Sequence, residues 1–300
     1  MKTENKLLKF SAAGGLFFAL VGIGWGLFID SEMIMFDGVY SLISLFLSII
    51  SIVICKFIAK NDKVNFPFGK KALEPMVVAF KSIVLIIMCF ITLSNAIKTI
   101  RTGGNPVDTG FAIIYAILSV IGCGLIYSYM KSKGQKLNSD IIKAESSQWL
   151  MDTAISAGVL VGFIILLIIK NTKLYYLTIY IDPVMVIITS IIFLKVPISQ
   201  FIRVFKEIIL VKANDEINDE IYVIVKDIQK EYNFEDSITR VSKMGSSLRI
   251  EIDFIFNGES KMESLEEMDK VREKIDKETN HIKYEKWLNV SFTGNKKWAI

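Results

Sequence analysis

Glu145, Gln148, Asp152 and Ser156 follow one another at intervals of three, four and four in the stretch AESSQWLMDTAIS. That spacing stacks side chains on one face of a helix. A second stretch, FDGVYSLISLFLSIIS, carries Asp37, Tyr40, Ser41, Ser44, Ser48 and Ser51 at comparable intervals. Carboxylate, amide, hydroxyl and phenol are all oxygen donors. Two such faces turned toward each other suit a hard divalent cation such as Mn²⁺ or Mg²⁺, with retained water completing the coordination. Neither stretch offers an imidazole, because the one histidine of the chain is His281, far downstream. Histidine-dependent chemistry inside these stretches is therefore excluded.

Both faces lie within apolar runs. Six runs, at roughly 10–29, 33–58, 73–99, 110–130, 141–169 and 177–200, approach the ~20 residues that cross a bilayer. A carboxylate at mid-span costs ~3 kcal/mol on insertion scales, so Asp152 is retained for a function. At ~1.5 Å rise per residue Asp152 lies ~16 Å below one surface, and Asp37 ~6 Å below the other. Tyr40, Ser44, Gln148 and Asp152 are expected to converge near the centre, with Asp37 one or two turns outward and Glu145 two turns inward. Lys81, in the third run, is the available counter-charge. The serines have a blander alternative, bonding back to their own helix. The glycines of the first run (Gly14, Gly15, Gly22, Gly24 and Gly26) read as close-packing positions.

The chain has two unlike parts. Of its 300 residues 52% are hydrophobic, yet the charges are uneven: 19 basic and 11 acidic residues up to position 204, 16 basic and 20 acidic after it. The expected domains are a six-helix transmembrane domain over 1–204 and a small soluble domain over 205–300. Lysines crowd the amino terminus, the link KFIAKNDKVNFPFGKK and the link holding Lys131, Lys133, Lys136 and Lys143. The positive-inside rule then places both termini in the cytoplasm. The first run is too long for a signal-peptide core. Cys55, Cys89 and Cys123 lie in apolar runs without CxxC spacing, which argues against disulfides and reads as packing. Pro183 reads as the start of the sixth helix, after Asp182. The tail patterns as αββαβ, a ferredoxin-like α+β domain, expected as a small antiparallel sheet with helices on one face. No nucleic-acid partner is expected.

Several segments together resemble the cation diffusion facilitators. FPFGKKALEP (66–75) is similar to their HPxGxxRxE segment, DGVYSLIS (37–44) to DAxHSxxD, and QWLMDTAIS (148–156) to HxxxDxxxS; the Asp-Pro pair at 182–183 also fits. The resemblance covers nearly the whole chain. It implies a secondary transporter in the cytoplasmic membrane, not an enzyme. Such a protein is a homodimer that exports a divalent metal cation against protons by alternating access, and it has no resident cofactor. Carried over by position, the ligands fall at Tyr40 and Ser44 in the second span and Gln148 and Asp152 in the fifth. Asp37 matches an additional upstream aspartate, and Ser41 and Glu145 extend the same faces. Zinc-exporting members present His or Asp where this chain has Tyr40, Ser44 and Gln148. Ala72 replaces a basic residue, although Lys70 and Lys71 adjoin it. The cargo is left open among Mn, Fe, Co, Zn and Mg. With so few tail histidines, a regulatory zinc site is not expected there, and His281 reads as a surface residue. Two other readings stand beside export. One is a non-transporting family member acting as sensor or partner; the other is an intramembrane aspartyl protease using two aspartates, without the usual YD and GxGD contexts.

Overall fold

The computed structural model describes residues 2–60, 62, 64–137, 140–262 and 264–299, with side chains except at 2–5, 134–137, 140–145 and 147. Six helices are long and apolar enough to cross a membrane. They are α1 (Lys2–Ile29), α2 (Glu32–Ala59), α3 (Leu73–Arg101), α4 (Thr109–Leu137), α5 (Asp140–Lys170) and α6 (Thr178–Ile208). The chain is a multi-pass membrane protein with a small α+β region after the last span. It divides into two compact units, residues 1–52 with 81–198, and residues 53–80 with 199–300. The boundary expected at residue 204 falls inside α6.

In the first unit a buried cluster including Met33, Ile34, Phe36, Cys89, Tyr115 and Phe163 joins helices α2 to α5. Backbone-to-backbone contact brings α1 against α2. A Cβ on Gly38 would stand 2.5 Å from the Ile23 nitrogen, and one on Gly26 would stand 2.6 Å from the Met35 nitrogen. The expectation for the α1 glycines holds at Gly14, Gly22 and Gly26 but not at Gly15 and Gly24, where an added Cβ would meet nothing.

Asp182 on α6 is fully buried. Its carboxylate accepts from Ser31 Oγ at 2.6 Å and from the backbone N–H groups of Glu32 at 2.8 Å and Met33 at 3.4 Å. It thus caps the first turn of α2 from a different helix, where the unpaired N–H groups attract negative charge. Pro183 is not the helix start; α6 begins five residues earlier, at Thr178. A proline there removes the N–H that would pair with the carbonyl of Ile179. Asn105 supplies the missing donor, its backbone N–H meeting Ile179 O at 2.7 Å. Gly104, at φ +84°, makes room, since a Cβ would stand 2.7 Å from that oxygen. The helix tolerates its proline because a loop fills the vacancy.

The second unit contains α7 (Asp215–Glu231), β1 (Asp236–Met244), β2 (Ser247–Ile255), α8 (Leu265–Glu278) and β3 (Glu285–Thr293). Alternate β2 residues Leu248, Ile250, Ile252 and Phe254 are buried with Ile221, Val225 and Ile228 of α7 and Val271 and Ile275 of α8. Both helices therefore cover one face. The elements follow the expected order αββαβ, and the sheet order is β1-β2-β3. It is not wholly antiparallel: β1 pairs antiparallel with β2, but β3 runs parallel to β2. The reason is the connection. A two-residue turn reverses the chain between β1 and β2, whereas α8 carries it back along the sheet before β3 begins. Ser264 and Glu267 form a capping box that starts α8. His281 is exposed, with Nε2 2.6 Å from Glu220 Oε1.

The close α1–α2 crossing yields a test. Gly38→Val is expected to destabilise the protein by about 1–3 kcal/mol through overpacking against backbone that cannot yield. Gly24→Val, on open space, is expected to leave the unfolding temperature in detergent unchanged. Equal midpoints for the two variants would contradict the crossing.

Candidate metal centre

Four helices of the first unit line one cavity of about 390 Å³. From α2 come Asp37, Ser41, Ser44 and Ser48; from α5, Gln148, Asp152 and Ser156; from α4, Tyr115, Ser119 and Cys123; from α1, Ser11. On α2 the geometry is simple: at about 100° per residue, Ser41, Ser44 and Ser48 fall about 40°, −20° and 20° from Asp37. Both aspartates therefore line the same space, although depth arithmetic from the sequence set Asp37 one or two turns outward. The lining on α2 continues to Ile52, a run of about 22 Å at helical rise. The cavity is an elongated groove, so groups at different depths share it.

Its walls carry their own hydrogen bonds. Tyr115 Oη donates to Asp37 Oδ2 at 3.4 Å. Trp149 Nε1 donates to Ser11 Oγ at 2.8 Å, tying α5 to α1. Ser48 Oγ donates to the Ser44 carbonyl at 2.9 Å, and Ser51 Oγ to that of Leu47 at 3.0 Å. For these two serines the bland alternative, bonding back along the helix, is what the structure contains. Their oxygens still present lone pairs.

Tyr40 behaves differently. It sits about −60° from Asp37, at the edge of the α2 stripe. Its ring stacks on Phe193 of α6 with centroids 4.6 Å apart, and on Phe36 at 6.2 Å. It is not part of the cavity lining. Of the residues singled out from the sequence, the cavity brings together Asp37, Ser41, Ser44, Ser48, Gln148, Asp152 and Ser156. The side chain of Glu145 lies outside the described residues. Lys81 on α3 does not line the cavity, and among the described residues it forms no ion pair.

Sequence reasoning missed the α4 wall. Tyr115, Ser119 and Cys123 recur every fourth residue in the fourth apolar run, which is the signal that would have exposed it. Cys123 is a packing residue, buried with Leu7, Met130 and Trp149, but its thiol also faces the cavity. Among the described residues no three His, Cys, Asp or Glu side chains cluster closely enough to cage a metal. The cavity instead offers two carboxylates dispersed among hydroxyls, an amide and one thiol. Two negative charges balance a dication, and neutral oxygens with water fill its shell. Tetrahedral zinc chemistry, built on His and Cys, is poorly served.

Within the membrane-spanning helices a polar stripe of two carboxylates, hydroxyls and an amide thus runs through a groove whose other walls are apolar, with Phe18, Leu45 and Ile49 among them. Residues 8–209 match the cation efflux transmembrane domain, and the chain belongs to that family, the cation diffusion facilitators. It is similar to the manganese efflux system protein MneP of Bacillus subtilis, 27% identical over 214 residues, covering 71% of this chain and 69% of that protein. It is also similar to an uncharacterized transporter of Methanocaldococcus jannaschii, 27% identical over 176 residues, covering 59% and 61% of the two chains.

The thiol provides a direct probe. With Cys55→Ser removing the exposed cysteine, a small water-soluble methanethiosulfonate is expected to modify Cys123 faster than the fully buried Cys89. Mn²⁺ is expected to slow that reaction, and Asp152→Asn to abolish the protection. Modification insensitive to Mn²⁺ would show that no ion enters beside Cys123.

Proposed function

We propose that the protein exports Mn²⁺ or a similarly hard divalent cation in exchange for protons, by alternating access. Its site is the cavity where Asp37 and Asp152 face hydroxyls and an amide between α2, α4 and α5. The observation that carries this reading is the pair of carboxylates in one imidazole-free cavity, among hydroxyls and an amide. The manganese efflux relative from Bacillus subtilis agrees with it, and the family is one of cation efflux transporters.

The chemistry follows from the electrostatics of burial. Removal from water disfavours the charged form of a carboxylate, so a proton and a cation compete for the same oxygens. A dication requires the ionised ligands and expels their protons. Loading on one face releases protons, and unloading on the other takes them up. Asp152 and Asp37 are the acid–base groups, and each accounts for at most one proton per cycle. Ser41, Ser44 and Gln148 complete the shell directly or through retained water. Glu145, toward the lysine-rich side by its position on α5, is proposed as an inner waiting site. The remaining elements are the family's pattern applied to this chain: both termini in the cytoplasm, a cytoplasmic membrane location, and a homodimer joined through residues 205–300.

Purified protein in liposomes provides the test, with a divalent-sensitive dye and a pH dye read in parallel. Mn²⁺ influx accompanied by opposite proton movement is expected, with Zn²⁺ moved more slowly. Asp152→Asn is expected to lower the Mn²⁺ rate by at least about 10- to 100-fold, the range lost when a metal site loses even a supporting group. Tyr40→Phe is expected to retain most of the rate, because its ring packs on Phe193. Metal flux without proton movement would remove the antiport. No flux of any divalent ion would favour the sensor reading, and cleavage of a helical membrane peptide would favour the protease reading.

A further inference from the structure

A second cavity, of about 450 Å³, lies wholly within the second unit. One wall is the end of α2 and the loop after it, including Ile58, Ala59, Lys60 and Lys70; the other is strand surface, including Arg249 and Trp287. Ile58 and Ala59 are the last residues of a membrane span. The cavity therefore opens at the depth where hydrocarbon gives way to headgroups.

Its charge is one-sided. Lys60, Lys70, Lys71 and Arg249 line it against Asp62 and Glu285, a net of +2. Both acids are already engaged: Glu285 with Lys71 at 3.0 Å, and Asp62 with the Asn65 backbone N–H at 3.2 Å. The hydrogen bond that Lys71 donates to Glu285 also holds its ammonium above its ordinary pKa. Arg249 contacts Glu251 at 2.6 Å through one edge of its guanidinium. Lys70 is only 6% exposed. Its ammonium donates to the carbonyls of Phe57 and Lys60 at 3.3 and 3.1 Å and lies 4.0 Å over the Phe57 ring. Those partners carry partial charges only, and among the described residues no carboxylate lies within ion-pair distance of Lys70. Lys60 is exposed and likewise lacks an ion pair among the described residues. Two aromatic rings complete the rim, Phe68 and Trp287, with centroids 5.9 Å apart and exposures of 74% and 44%. Below the rim α2 presents Val53 and Phe57, 61% and 45% exposed.

Unbalanced cations, an exposed indole and an apolar helix face together match one ligand. We propose that this cavity binds the headgroup of an anionic phospholipid. The phosphate sits by Lys60, Lys70 and Arg249, the glycerol lies against Trp287 and Phe68, and the acyl chains follow the exposed face of α2. Basic pockets at span ends recognise anionic lipids in this manner, and tryptophan favours the same interfacial depth. A bound lipid would join α2 to the strand surface through a molecule that exists only in the membrane.

The experiment uses the full chain, delipidated in a neutral detergent and titrated with phosphatidylglycerol or phosphatidylcholine of matched acyl chains. The unfolding temperature is the readout. Phosphatidylglycerol is expected to raise it, and phosphatidylcholine to have little effect. Lys60→Gln with Arg249→Gln, both on solvent-accessible side chains, is expected to weaken the phosphatidylglycerol response at least about tenfold in apparent affinity, at ~1 kcal/mol per basic residue. Lys131→Gln with Lys133→Gln, at the end of a different span, is expected to leave it intact. Equal responses to the two lipids, or equal losses in both double variants, would overturn the proposal. Saturation of the same shift by inorganic phosphate alone would assign the cavity to a free anion instead.

Discussion

A carboxylate within a membrane-spanning helix must be given partners, and this fold gives Asp152 a polar groove. Asp152 sits where hydrocarbon would otherwise surround it. Four helices answer by turning hydroxyl, amide, thiol and phenol groups toward one groove, and α2 adds Asp37 to the same space. The helices do not meet there through apolar packing alone. Trp149 bonds Ser11, and Tyr115 bonds Asp37, so the polar wall is held across helix boundaries.

At the first turns of α2 the helices are tied closely to one another. Gly22, Gly26 and Gly38 let α1 and α2 meet at backbone distance. Asp182 then holds the first turn of α2 from α6, while Asn105 and Gly104 fill the gap left by Pro183. Glu32, just inside α2, accepts from Thr99 at 2.5 Å. The result is a corner in which α1, α2, α3 and α6 are fixed to one another by few, directional contacts.

In the second unit, Glu74 illustrates the same economy. Its carboxylate accepts from the backbone and hydroxyl of Ser246 at the β1–β2 turn, at 2.7 and 3.0 Å, while Lys71 reaches Glu285 on β3. The start of α3 thus carries charged groups whose partners lie about 170 and 210 positions away in sequence. Gly245, at φ +60°, permits the turn that presents Ser246.

Length and hydropathy dictated the six spans, because about 20 apolar residues in a row have no other economical fate. The period of 3.6 likewise dictated the polar faces of α2 and α5, since helical spacing is a local property. The alternation in the tail fixed three strands and two helices, and their order followed. What the residues alone left undecided were relations between elements. Whether Tyr40 faced the cavity or Phe193 depended on the azimuth at which α2 docks, which no single helix encodes. The α4 wall, the shared depth of Asp37 and Asp152, and the partner for the Ile179 carbonyl all depend on neighbours far away in the chain. The parallel course of β3 depended on where α8 returned it. Local periodicity is written residue by residue; the meeting of faces is settled only when whole helices pack, and the binding cavity is a product of that second step.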